Sequence, residues 1–236
     1  MSAITIFAGV LRGVRLLVPD GYIGDEAAYS KDACWYAFHS KAICHAGAEL
    51  NLEHPPLAKF IMSIAMHIWG FSTFTTRIFS VVFGTLTIAL FYLLARKLLG
   101  STLGASIASG ALAIDFMHFV HSRVAMLDVF LVFFAVLALL FLVQDRDRLF
   151  GAGMSGGWRP WRIAAGAAAG AAMATKWTGL LVLVSVAFLS FTWEVKLRRE
   201  KRPHPLISAA VEQGPWLVLS YALVPVFVYA LTFLGR

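Results

Sequence analysis

"TRIFSVVFGTLTIALFYLLARKLLG", residues 76–100, begins behind one arginine and ends on an Arg-Lys pair, and residues 78–95 between them carry no charge. A helix needs about 20 predominantly apolar residues to cross a bilayer, and cations at both ends suit its two interfaces. The same pattern recurs along the chain. Residues 98–114, 124–143, 177–193 and 215–235 are further clear spans, with the single acid Asp128 in the third run and Pro225 in the last. The small-residue run "IAAGAAAGAAMAT", 163–175, has the composition of close helix–helix packing in lipid. Residues 3–18 make a shorter first span carrying Arg12 and Arg15. It is either the outer part of a helix that starts upstream or a helix whose Arg12 faces its neighbours.

The chain of 236 residues is 59% hydrophobic and 14% charged, where a soluble domain carries about a quarter charged residues. A soluble core is excluded. The net charge of +7 does not indicate nucleic acid, because the basic residues fall in short connectors between apolar runs: "ARKLLG", "GWRPWR" and "KLRREKR". Cations in short loops mark the cytoplasmic side, and a polybasic connector also suits anionic lipid. With Arg96/Lys97, the 144–162 loop and 196–202 in the cytoplasm, the spans alternate. Segment 20–76 then lies outside, where six acids face three bases. Arg77, "HFVHSR" and Lys176 come to the same outer face.

That outer segment differs from the spans. After Pro19-Asp20-Gly21, helical spacing puts Tyr29, Ala33, Tyr36 and Ala37 on one face. After Pro55-Pro56 it does the same for Leu57, Phe60, Ile61, Ile64, Ala65 and Ile68. Neither stretch is long enough to cross, and both suit helices in the membrane interface. The expected architecture is an all-α polytopic membrane protein of about six to seven transmembrane helices. Interfacial helices lie in its first extracytoplasmic loop, and residues 1–236 form one membrane-embedded unit. Cys34 and Cys44 are read as free thiols, with a disulfide as the alternative if the segment is outside.

The ionisable residues of the outer face are the candidate site. Asp25-Glu26 would by itself be a helix start, where Asp caps and Glu favours the dipole. Its place just beyond a span, with "NLEHPPLAKF" about 30 residues on, adds a proton carrier in His54 and a cation in Lys59. Asp128 lies about a turn inside its span, five residues after Arg123. A charge there costs about 2.5–3.5 kcal/mol on insertion scales, so a buried partner or a functional role is expected. His118 and His121 have i, i+3 spacing, and His39 and His45 complete a loose group without the register of a metal site. A divalent metal is not implied, and no glycine-rich phosphate loop or nucleophile elbow is present.

In order along the chain, "DEAAY", "HPPLAK", "TRIFSVVFGTL", "SRVAMLDVFLVFF" and "GAAMATKWTGL" resemble the motifs of the protein O-mannosyltransferase family, over residues 12 to 190. The resemblance is to the amino-terminal half of that family, among membrane glycosyltransferases of the GT-C fold. It implies an inverting transfer of a sugar, mannose first, from a polyprenyl-phosphate donor to Ser or Thr hydroxyls of exported proteins. Asp25 would be the general base and Glu26 would support the loop or acceptor. His54, Lys59, Arg77, Arg123, Asp128 and Lys176 would serve the donor phosphate or substrate. His54 stands where the aminoarabinose transferases carry lysine, which favours the protein-mannosylating branch. No cofactor beyond the lipid-linked donor is implied, and no nucleic acid. Because family members continue through further spans, a partner chain supplying them is one expectation. The alternatives are the same chemistry on a lipid or glycan acceptor, or a non-catalytic membrane subunit.

Overall fold

The computed structural model describes residues 1–44, 53–152 and 158–234, and among these every regular element is helical. The chain opens with α1 (Ser2–Gly13), followed by α2 (Glu26–Phe38), α3 (Lys41–Cys44) and α4 (Leu57–Trp69). The hydrophobic run of residues 76–100 lies in α5 (Thr73–Leu99), which leads into α6 (Thr102–Ile114) and α7 (Phe116–His121). Then come α8 (Leu127–Ala152), α9 (Pro160–Thr175), α10 (Gly179–Arg198), α11 (Pro205–Val218) and α12 (Val224–Leu231). Four helices are long and apolar enough to cross a membrane: α5, α8, α10 and the continuous α11–α12. With the shorter helices α1, α6 and α9 packed against them, the count is roughly consistent with the expected six to seven spans.

Local signals account for the helix ends. Ser72 caps α5, its Oγ accepting from the Thr75 amide while the Thr75 Oγ1 accepts from the Ser72 amide. That reciprocal box satisfies two amides that a helix start leaves open. Asp115 accepts from the His118 amide at the start of α7. A π-turn at Leu219–Leu223 joins α11 to α12 just before Pro225, where proline withdraws an N–H from the ladder. This broken helix packs on the small face of α9. A Cβ on Gly170 would come within 2.7 Å of the Pro225 Cα, so the glycine is what permits the approach.

Several expected boundaries move. The first span ends at Gly13 rather than at residue 18: Val14 and Arg15 leave the helical conformation, Arg15 with φ of +54°, and the Leu16 carbonyl accepts from Arg77 instead. Its Arg12 does face other helices. It is fully buried and donates to the carbonyl oxygens of Ala8 and Ala113, and Nη2 lies 2.9 Å from His118 Nδ1. The 144–162 connector is largely helical, since α8 continues to Ala152 and α9 begins at Pro160. The last span begins at Pro205 rather than 215.

At the opposite end of the bundle, charges read as solvated loop residues are paired inside it. Asp145 accepts from Arg159 (2.6 and 2.9 Å) and Arg162. Glu194 accepts from Arg159, Arg162 and Arg198, and Gln213 from Arg162 at 3.0 Å. All six of these side chains are buried, and together they tie α8, α9, α10 and α11 at the end of the bundle opposite Arg77. Removing one partner of a buried ion pair strands the others and costs about 3–5 kcal/mol. Glu194→Ala is therefore expected to lower the thermal midpoint of the detergent-solubilised protein sharply. Lys97→Ala, which breaks the half-exposed 3.0 Å pair with Asp147, is expected to change stability by about 1 kcal/mol or less.

Candidate active site

The site is built around a buried ion pair. Arg77, in the first turns of α5, donates Nε to Glu26 Oε1 at 2.7 Å and Nη2 to Glu26 Oε2 at 2.9 Å. The remaining N–H groups go to the carbonyl oxygens of Leu16 (3.0 Å), Pro19 (3.2 Å) and Gly21 (2.7 Å). A guanidinium has five N–H donors, and all five are spent here. Glu26 is saturated as well: it also accepts from the amides of Ile23 and Ala125, each at 3.0 Å. Arg77 thus has no donor left for a phosphate. The pair instead binds the 14–25 loop, α2, α5 and the turn before α8 into one unit.

Asp25 sits on the outside of that unit. It stands at the N-cap of α2 without spending its carboxylate on the helix, and it is exposed. Gly24 before it and Gly21 upstream have φ of +54° and +95°, a region where side chains are strained. No atom would obstruct a Cβ at either position, so the requirement there is one of backbone conformation.

One turn on, Tyr29 is buried under Asp25. Burial first, then the charges of Asp25, Asp128 and Glu53 and a hydrogen bond to Asp25, push its phenol up to about 12. Tyr29 therefore stays protonated at neutral pH. Its ring centroid is 6.1 Å from that of His54, and the Lys59 ammonium lies 5.9 Å from it. Burial, then the positive charges of Lys176 and Lys59, hold the His54 imidazole below its ordinary value of 6.5. Its Nδ1 is buried and has no hydrogen-bond partner among the described residues.

The other candidates divide into two kinds. Lys59 is fully buried and bridges Asp32 at 2.7 Å, so its charge is neutralised by α2. Lys176 and Asp128 are part-exposed and pair at 2.9 and 3.1 Å, joining the end of α9 to the head of α8. Arg123 donates Nη2 to the Arg15 carbonyl at 2.9 Å and lies 5.3 Å from the Phe119 ring centroid. Its remaining N–H groups have no partner among the described residues. His118 is taken by Arg12, and no group of three His, Cys, Asp or Glu among the described residues is arranged for a metal. His45 lies outside the described residues. Cys34 and Cys44 are joined in a disulfide, which corrects the free-thiol expectation. It closes α2 onto α3, where each sulfur is buried in the cluster formed by α2, α4, α5 and α8.

Residues 70–234 match the family model described as "Dolichyl-phosphate-mannose-protein mannosyltransferase". The chain belongs to that family. The polyprenol-phosphate-mannose–protein mannosyltransferase of Mycolicibacterium smegmatis is 32% identical over 223 residues, which cover 86% of this chain and 43% of that protein. The chain thus spans less than half the length of that relative. Among solved structures, the Saccharomyces cerevisiae protein O-mannosyltransferase Pmt1-Pmt2 complex bound to the sugar donor matches with a TM-score of 0.78 and 21% identity, over 99% of this chain and 32% of that one. ArnT from Cupriavidus metallidurans bound to undecaprenyl phosphate matches with a TM-score of 0.66 and 21% identity, over all of this chain and 44% of that one. Both likenesses establish the shared fold.

Sequence reasoning did not assign site roles to Tyr29 and Asp32. Their signal was available: 25, 29 and 32 share one face of a helix at i, i+4 and i+7. The arrangement around His54 is directly testable. Lys176→Gln removes a cation that lowers the His54 pKa and releases Asp128, and both changes favour imidazolium. NMR titration is therefore expected to find the His54 midpoint below 6.5 in the wild type and moved up in Lys176→Gln.

Proposed function

We propose that the chain forms the acceptor-activating half of a membrane mannosyltransferase. The reaction transfers mannose with inversion from a polyprenyl-phosphate donor to Ser or Thr hydroxyls of exported proteins. The observation that carries this reading is an exposed Asp25 carboxylate presented by the saturated Glu26–Arg77 unit, with Tyr29, His54, Lys176 and Asp128 around it. The names of the curated relatives support the donor and acceptor classes.

The chemistry follows from the groups. A hydroxyl is a weak nucleophile until a positioned base takes its proton as the bond forms. Asp25 receives that proton while the acceptor oxygen bonds to the anomeric carbon. The bond from that carbon to the phosphate oxygen breaks, and the lipid phosphate leaves with the electron pair. Cations placed where that charge develops lower the barrier. Arg123 and Lys176 retain N–H groups for this role, whereas Arg77 and Lys59 hold the scaffold. Glu26 acts on Asp25 through the loop, as a positioning residue.

The site end is assigned to the extracytoplasmic face. A disulfide beside the site fits an oxidising compartment, and the basic connectors gather at the other end. Further spans, from a continuing chain or a partner, would complete the donor side. The test uses purified chain in nanodiscs, radiolabelled polyprenyl-phosphate-mannose and Ser/Thr-rich peptides. Asp25→Asn is expected to lower transfer by about 10²–10⁴-fold while donor retention and thermal midpoint stay at wild-type values. Wild-type transfer rates in Asp25→Asn would remove the base assignment. Donor binding without transfer by the wild type would overturn the chain as a transferase on its own.

A further inference from the structure

The connector "KLRREKR" is not uniformly solvated. Arg198 is buried, accepted by Glu194 and Glu212, whereas Lys196, Arg199, Lys201 and Arg202 are exposed. Between residues 196 and 212 five cations face two acids. Glu212 already accepts from Arg198 (3.0 and 3.1 Å) and from the Ser208 hydroxyl (2.7 Å), so its 3.2 Å pair with the exposed Arg202 neutralises that arginine only in part. Beside these groups a cleft of about 340 Å³ opens, lined by Arg202, His204, Ile207, Ser208, Val211 and Glu212.

The cleft is basic at one end and apolar at the other. Arg202 and His204 form its polar rim just before α11 begins. Ile207 and Val211, four residues apart and therefore on one helical face, are 63% and 72% exposed and form its wall. The α11–α12 span that starts here is the least buried of the four long helices. A cation cluster at the point where an apolar span enters the membrane matches the two halves of a charged lipid.

We propose that this cleft binds an anionic phospholipid of the leaflet on its side, the phosphate on Arg202 and His204 and an acyl chain along Ile207 and Val211. Arg198 at the end of α10, held by Glu194, also donates to Glu212 on α11, which ties the connector to the helix beside the cleft. The occupant is thus specified by charge at one end and by apolar length at the other.

Native mass spectrometry of the full chain, released from detergent containing equal phosphatidylglycerol and phosphatidylcholine, tests the assignment. Phosphatidylglycerol adducts are expected to dominate, and Arg202→Ala to weaken them about fivefold, the effect of removing one surface cation. Lys97→Ala, the same charge loss elsewhere at this end of the bundle, is expected to leave them unchanged. Val211→Asp, which charges the apolar wall, is expected to reduce adducts of both lipids. Equal retention of the two lipids by the wild type would overturn the proposal, as would equal effects of Arg202→Ala and Lys97→Ala. Displacement of the lipid by inorganic phosphate at the same concentration would show a simple anion site and overturn it as well. A wild-type thermal midpoint for Arg202→Ala keeps the result separate from misfolding.

Discussion

A guanidinium placed in an apolar bundle must find an acceptor for every N–H, because an unmet charge in low dielectric is far costlier than a neutral polar group. Arg77 meets that demand with one carboxylate and three backbone carbonyls, all drawn from the stretch between Leu16 and Glu26. Satisfying the arginine therefore fixes the path of the loop. Glu26, in accepting from Ala125 as well, fixes the turn that precedes Asp128. Asp25 is left at the surface of this unit, its carboxylate free of the helix cap and hydrogen-bonded to Tyr29. The chemistry proposed for Asp25 depends on Arg77 through the loop, since all of the arginine's N–H groups go to Glu26 and the backbone.

The opposite end of the bundle solves the same problem with side chains alone. Three arginines, Asp145, Glu194 and Gln213 satisfy one another across four helices. Between the two polar ends runs α9, whose alanines and glycines let the broken α11–α12 helix approach closely. Two ends tied by buried ion pairs and a tightly packed middle suit the proposed catalysis, in which a carboxylate is held in place beside a lipid-linked substrate.

The spans were legible because uncharged runs of about 20 residues have one stable solution in lipid. The five motifs were legible as a set because topology brings their residues to one end. Pairing was not legible. Hydrophobic periodicity says which residues are apolar, not which acid a buried cation will meet, so Arg77 and Lys59 looked like phosphate ligands while their partners Glu26 and Asp32 lay 51 and 27 positions away. The "GWRPWR" and "KLRREKR" connectors looked like topology signals for the same reason, although Arg159, Arg162 and Arg198 are buried. The first span was read too long because its chain turns at Arg15 and the Leu16 carbonyl serves Arg77, a demand invisible in the segment itself. Of the α4 face read from helical spacing, Ile64 and Ile68 are exposed, whereas Ala65 is buried with Lys59 and Met62.

Glu26 and Arg77 thus act as one structural unit. A double-mutant cycle with Glu26→Gln, Arg77→Gln and the double variant, read by equilibrium unfolding in detergent, tests it most directly. Each single change is expected to be strongly destabilising and the double to cost far less than their sum, with a coupling of at least about 2 kcal/mol. Additive losses, or singles that unfold like the wild type, would contradict it.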